Sequence, residues 1–376
     1  MKFVFTYEQE MLRRTVRAFA KKELTQEYLR ALDEGAHASD CNLLPMMASL
    51  GFTALMLPSE FGGLDGGAVD GVALLEELGR SSLAVASILT SAIGFGCEAL
   101  KRAGTASQQR EMFEKLVRGE LHFAFAAAGP GSDSDSAVVA ARADNNQYIL
   151  DGSNIIVTGT RNPNYLIIAA QSENDASHLR LFILEPTAVG ITGYSIETSG
   201  LRGVGAFHML NFKAVRVPAT ALLGSHGDTV MAALMHARLL EAATCVGCAQ
   251  QAVEDAVRYA GEREQFGQPI GKFQAISHLL VDLQVDVDAA RALLYRAAWM
   301  SDAGIDCARE VSMAHLAASE ALLRTASDAM RVYGGYGMTM EFDVQRHLRD
   351  ARLFVVGDGA SRSQRDLVAR SMGLTK

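Results

Sequence analysis

The feature that most restricts the fold of this chain is the order of its hydrophobic periods. Helical spacing comes first, then about a hundred residues of alternation, then helical spacing again. In the first block Met11, Leu12, Val16 and Phe19 share one helical face, behind Thr6-Tyr7-Glu8-Gln9, which has the form of a capping box. Residues 43–50 read as a short helix, and Pro58, Gly62, Gly63, Gly66 and Gly67 mark a loop. Residues 69–100, rich in Ala, Leu and Ile, read as a helix pair buried on several sides. Near His122 the pattern changes to short alternating segments at 148–150, 155–158, 165–170, 179–184 and 207–212. Asp151-Gly152 lies between two of them and predicts a type I′ hairpin turn. Val217-Pro218 ends the block.

From about residue 226 the helical period returns, with Ile276, Leu280, Leu283, Val287 and Leu294 on one stripe. Residues 302–306 break that helix, residues 308–332 supply another, and Gly334-Gly335-Tyr336-Gly337 closes it. A doubly wound dinucleotide fold would alternate strand and helix, so the block order argues against one. The expected fold is mainly α with a central β domain: an N-terminal helical domain over 1–121, a β-sandwich or barrel over 122–224 and a C-terminal helical bundle over 225–376.

The 376 residues have room for two or three domains, at roughly 100–200 residues each. With 49% apolar and 21% charged residues the chain is not disordered. Its net charge of −8 is spread without a basic stripe, which argues against a nucleic-acid partner. Five cysteines are too few, and odd in number, for a secreted disulfide framework. Residues 1–6 lead into charged helical sequence without an apolar signal core. No stretch reads as the ~20 consecutive apolar residues of a membrane span. A cytoplasmic location is expected.

The nine histidines form no HxH or HExxH spacing, and the chain has no Walker loop or GxSxG elbow. Cys245-Val246-Gly247-Cys248 lies in Ala- and Val-rich helical sequence with no second pair, so it reads as small-residue helix packing. Gly129-Pro130-Gly131-Ser132-Asp133 is either a plain turn or a ligand-facing loop with free backbone N–H groups.

Several segments, in order, carry a resemblance. They are Leu50-Gly51-Phe52 with Leu57-Pro58-Ser59-Glu60-Phe61-Gly62-Gly63; Gly131-Ser132-Asp133; Leu201-Arg202-Gly203; Arg263-Glu264-Gln265-Phe266-Gly267-Gln268-Pro269-Ile270 with Phe273-Gln274; Tyr333-Gly334-Gly335-Tyr336-Gly337; and Arg349-Asp350-Ala351-Arg352. Together they resemble the acyl-CoA dehydrogenase family over nearly the whole chain. The resemblance implies FAD-dependent α,β-dehydrogenation of an acyl-CoA or carrier-bound thioester within lipid metabolism. It also implies an electron-transfer flavoprotein or similar acceptor and a tetramer, either homomeric or paired with a similar chain. Long C-terminal helices with more apolar stripe than one bundle can cover point the same way.

By position, Phe123, Phe125, Ala126, Gly131, Ser132, Ile156 and Thr158 would line the flavin, with Ser132 also reaching substrate. Arg263, Phe266 and Gln274 would reach the adenine–pyrophosphate part of FAD in a neighbouring subunit, beside Arg331, Gly334 and Gly335. The implied base is Asp358, whose backbone N–H would donate to the thioester oxygen. Gly359 and Arg238 would contact substrate, and Ala360 and Arg362 the cofactor.

The chain departs from the family pattern at several of these positions. Asp358 stands where Glu is usual, which withdraws the carboxylate by about an ångström, and a misplacement of that size costs ~10²-fold in rate. Ala360 replaces a Thr, Ala126-Ala127-Ala128 replaces Thr-Glu-Pro, and Ile156 replaces an aromatic residue, whereas Thr158 is kept. A second branch of the family carries its base just before an Arg matching Arg238, but Ala237 occupies that place here. Glu241, one turn on, is the substitute base or else an ion-pair partner of Arg238. Two further readings stay open: a same-fold oxidase using Asp as base, and a catalytically degraded partner subunit of a heterotetramer.

Overall fold

The structure is a computed structural model describing residues 4–35, 42–127, 138–173, 175–204, 207–224, 227–356 and 361–374. Among the described residues seven α-helices come first: α1 (Tyr7–Glu23), α2 (Gln26–Asp33), α3 (Leu43–Ser49), α4 (Ala68–Ser81), α5 (Leu83–Ile93), α6 (Phe95–Ala103) and α7 (Ala106–Val117). The expected capping box starts α1, with the Thr6 hydroxyl accepting from Gln9 N–H and the Gln9 amide oxygen accepting from Thr6 N–H. The stretch expected to be a helix pair is three helices. Ser82 caps α5, and Gly94 turns the chain into α6.

Eight strands form one sheet: β1 (Phe123–Ala127), β2 (Val139–Asp144), β3 (Gln147–Thr158), β4 (Tyr165–Ser172), β5 (Asp175–Leu184), β6 (Ile191–Ser195), β7 (Phe207–Pro218) and β8 (Leu222–Gly224). Their order is β6-β7-β3-β1-β4-β5-β8, and β2 pairs with both β3 and β4. The hairpin turn expected at Asp151-Gly152 is not there, because both residues lie inside β3. That strand bulges against β7 at Leu150/Gly152 and Gly152/Ile155, and the Asp151 carboxylate accepts the Ala214 N–H. The turn is at Asn145-Asn146, where Asn145 takes φ 56° and Asp144 pairs with Gln147.

One sheet face closes on its own core of Ala124, Ala126, Leu150, Ile155, Val157, Ile168 and Phe212. The other face sends Phe123, Ile167, Ala169 and Leu181 into the helical core. This two-sided burial follows from the period-2 alternation of β1, β4 and β5.

Five α-helices follow among the described residues: α8 (Gly227–Glu262), α9 (Gln274–Asp302), α10 (Ala308–Tyr333), α11 (Val344–Val356) and α12 (Ser361–Ser371). The stripe read from the sequence is the buried face of α9, where Leu280, Leu283, Val287 and Leu294 enter the core. Two stretches, 83–103 and 228–262, are long and apolar enough to cross a membrane by length and composition, contrary to the sequence expectation; most of each is buried inside the fold. Close packing of α4 on α8 explains Gly247, since a Cβ there would collide with the Glu76 carbonyl oxygen.

Among the contacts that hold α11 are two to earlier segments. Arg349 grips Asp33 on α2 bidentately at 3.1 and 2.7 Å, and the buried Asp350 carboxylate accepts the Leu201 N–H at 2.7 Å. The Arg349-Asp350 and Leu201-Arg202-Gly203 segments are therefore two halves of one joint, with Leu201 at φ 48°.

Candidate active site

A cavity opens where the outer face of the sheet meets α5, α6, α8 and α11. On the sheet, Ile155 and Val157 turn inward, so Ile156 and Thr158 turn outward. Ile156 is 51% exposed. Thr158 pairs with Phe125 across β1–β3, and both line the cavity. Phe125 is held by a parallel stack on Phe95 of α6, with ring centroids 4.6 Å apart and planes at 14°, a contact worth about 0.5–1.5 kcal/mol beyond the area buried.

Helix α8 contributes Ala237, Glu241 and Thr244 to the wall, at steps of four and three that keep one face turned inward. Helix α5 contributes Ser87, Thr90 and Ser91, and α11 contributes Leu353 and Phe354. Glu241 is the one ionisable side chain among the described lining residues. Behind it, His315 of α10 is 1% exposed and places Nε2 3.3 Å from Glu241 Oε2. The structure thus gives Glu241 an imidazole neighbour on another helix, beyond the i, i+3 relation to Arg238 read from the sequence.

The other site residues expected from the sequence fall in several places. Phe123 shares a strand face with Phe125 but is buried where α6 approaches, and a Cβ on Gly96 would collide with its ring. Ala126 is buried in the sheet core on the opposite face. Neither lines the cavity, because alternation and helix cover take them away from it. Arg238 is buried on α8 next to Ala237. Gly131, Ser132, Asp358, Gly359 and Ala360 lie outside the described residues.

A second surface lies at the far end of α8. Glu241 and Arg263 are separated along this helix by roughly 33 Å at 1.5 Å per residue. There Arg263 lies over the Tyr336 ring at 5.7 Å, and Phe266 is 93% exposed at φ 52°. Gln274 is exposed at the start of α9. Gly334, at φ 60°, and Gly335 have open space where a Cβ would stand. Arg331 is largely exposed and bonds Asp328 at 2.6 Å, and Arg362 is exposed 4.0 Å from Asp366.

Sequence reasoning missed His315, the α5 hydroxyls, Phe95, Leu353 and Phe354. The available signal was a lone His on the apolar face of residues 308–332 and three hydroxyl residues in a helix otherwise read as core. It also missed a partner for Cys248, whose Sγ lies 3.3 Å from His347 Nδ1, while His347 Nε2 lies 3.5 Å from Asp255 Oδ2. Burial alone would lower the His347 pKa, but the Cys248 sulfur and the Asp255 carboxylate outweigh it and hold the imidazole up at about 10.

Residues 6–120 match the acyl-CoA dehydrogenase N-terminal domain and residues 226–373 the acyl-CoA dehydrogenase C-terminal domain. The chain belongs to the acyl-CoA dehydrogenase family, and it is an FAD-dependent oxidoreductase acting on CH–CH bonds. It is 34% identical over 375 residues to an acyl-CoA dehydrogenase of Bacillus subtilis, covering 97% of this chain and 98% of that one. It is 30% identical over 373 residues to the caffeyl-CoA reductase–Etf complex subunit CarC of Acetobacterium woodii, covering 97% and 98%. Among solved structures it resembles butyryl-CoA dehydrogenase from Megasphaera elsdenii, with a TM-score of 0.90, 28% identity and coverage of 99% and 100%.

Proposed function

We propose that the protein oxidises an acyl thioester between Cα and Cβ, with a carboxylate accepting the α-proton. The observation that carries this reading is the meeting of Phe125, Thr158 and Glu241 in one cavity walled by Phe207, Leu353 and Phe354. Apolar walls of this kind suit a proton transfer that needs a positioned carboxylate.

The residues fit FAD on two counts. The outward face of β3 offers a half-exposed apolar side chain at Ile156 beside the Thr158 hydroxyl. At the far end of α8, the open backbone at Gly334-Gly335 beside Arg263 suits close approach of an anionic pyrophosphate. Phe125, Ile156 and Thr158 would hold the ring portion, and Arg263, Phe266, Gln274, Arg331, Gly334 and Gly335 the adenine–pyrophosphate portion of a neighbouring subunit's FAD. When bound, FAD supplies the two-electron acceptor.

The base is assigned to Asp358, which follows Leu353 and Phe354 of the cavity wall in sequence and stands at the family's base position. A second assignment, Glu241, is favoured by its place in the cavity wall. Substitution separates them: Asp358→Asn should abolish anaerobic flavin reduction in a folded, yellow protein, whereas loss on Glu241→Gln with Asp358→Asn still active transfers the role. Electron transfer to an Etf-type acceptor is supported by likeness to a subunit of an Etf complex. A tetramer is supported by the exposed apolar side chains of Val281 and Val285 on α9 and of Phe266. The free thiols of Cys97, Cys245, Cys248 and Cys307 suit the reducing cytoplasm.

A further inference from the structure

The helical side of the cavity is one-sided in its hydrogen bonding. Ser87 Oγ, Thr90 Oγ1 and Ser91 Oγ donate to the carbonyls of Leu83, Ala86 and Ile88 at 2.8, 2.9 and 2.7 Å. Thr244 Oγ1 donates to the Glu241 carbonyl at 2.8 Å. Each hydroxyl hydrogen is thus used within its own helix, and only oxygen lone pairs remain for a ligand. Glu241 adds carboxylate oxygens, and no described lining residue brings a side-chain N–H.

A purely hydrocarbon acyl chain in this space would strip water from these acceptors and return nothing to them. A dicarboxylic acyl chain would set a second anion against Glu241. A chain bearing N–H or O–H groups meets them with the missing hydrogens, and a protonated amine also meets the charge of Glu241.

Resting on the thioester reading above, we propose that the acyl group taken by this site carries a hydrogen-bond donor beyond its reacting carbons, an amine or a hydroxyl. A hydrogen bond to a charged acceptor, against an acceptor left dry, corresponds to about a tenfold or greater preference.

The test is calorimetric binding of four unreactive CoA thioethers to the FAD-loaded protein, with 4-aminobutyl, 4-hydroxybutyl, pentyl and 4-carboxybutyl chains. The amine and the hydroxyl should bind at least about tenfold more tightly than pentyl, and the carboxylate most weakly. The amine ahead of the hydroxyl assigns recognition to the charge of Glu241, and the reverse order assigns it to the hydroxyl cluster. In Glu241→Gln any lead of the amine over the hydroxyl should vanish. Pentyl binding as tightly as both donors would overturn the inference while leaving thioester binding intact. Binding of none of the four would overturn the thioester reading and the inference with it. A matched turnover comparison, 4-hydroxybutyryl-CoA against pentanoyl-CoA, should show the same preference in kcat/KM.

Discussion

Phe125 and Thr158 stand opposite each other across the antiparallel β1–β3 pair, and both line the cavity that holds Glu241. The sheet thus presents one aromatic and one hydroxyl side chain at the same level, facing a carboxylate carried by α8. The stack of Phe95 on Phe125 ties this arrangement to the helical core.

Phe95 is fully buried, so Phe95→Ala should destabilise the protein by about 3–5 kcal/mol through lost burial and a cavity. Urea unfolding checks this; a loss under 1 kcal/mol, by order of magnitude, would show that Phe125 does not depend on the stack.

Two glycines of α8 should respond in opposite directions. Gly247→Ala drives a methyl into the Glu76 backbone and should cost upwards of ~2 kcal/mol. Gly261→Ala meets open space in the last turn of the same helix and should stabilise by up to about 1 kcal/mol. Thermal melts of the two variants compare them directly, and similar shifts in both would refute the α4–α8 contact.

His347 gives a pH dependence. Its folded pKa of about 10 lies above the ordinary histidine value, so its contribution to stability is fully present below the unfolded pKa and is lost as pH rises through about 10. Between neutral pH and about 10 the wild type should therefore lose more stability than His347→Gln. Parallel curves for the two proteins over that window would contradict the buried Cys248–His347–Asp255 arrangement.

Much of this was legible in the sequence because periodicity is a local signal. The helix–strand–helix order, the α1 capping box and the α9 stripe are each set by residues within a turn or two of one another. Asp151-Gly152 misled because its turn propensity is local too, whereas the strand around it is held by β7, sixty residues away, through bulges and the Asp151–Ala214 bond. Of the candidate cavity, Phe125, Thr158 and Glu241 were legible, since they lie on motifs or one helical turn from them. It was not legible at Ser87, which reaches the cavity only through packing of α5 against α8, or at His315, which reaches Glu241 from behind the cavity only through packing of α10 against α8. The same holds for His347, whose approach to Cys248 spans 99 residues.

Arg263 should matter to cofactor retention more than to folding. Its guanidinium is placed over Tyr336 at the end of α8, beside the open Gly334-Gly335 backbone. Arg263→Ala should lower FAD occupancy of purified protein with little change in helix content by circular dichroism. Full occupancy would remove Arg263 from the cofactor site.

The most direct test of the central claim is anaerobic titration of the FAD-loaded protein with acyl thioesters, following loss of the yellow flavin absorbance, in the wild type and in Asp358→Asn and Glu241→Gln. The account predicts that the wild type bleaches with at least one thioester, that Asp358→Asn stays yellow under the same titration, and that Glu241→Gln still bleaches. Bleaching of both variants at the wild-type rate would show that neither carboxylate is the base, and a wild type that no thioester bleaches would contradict the proposed reaction itself.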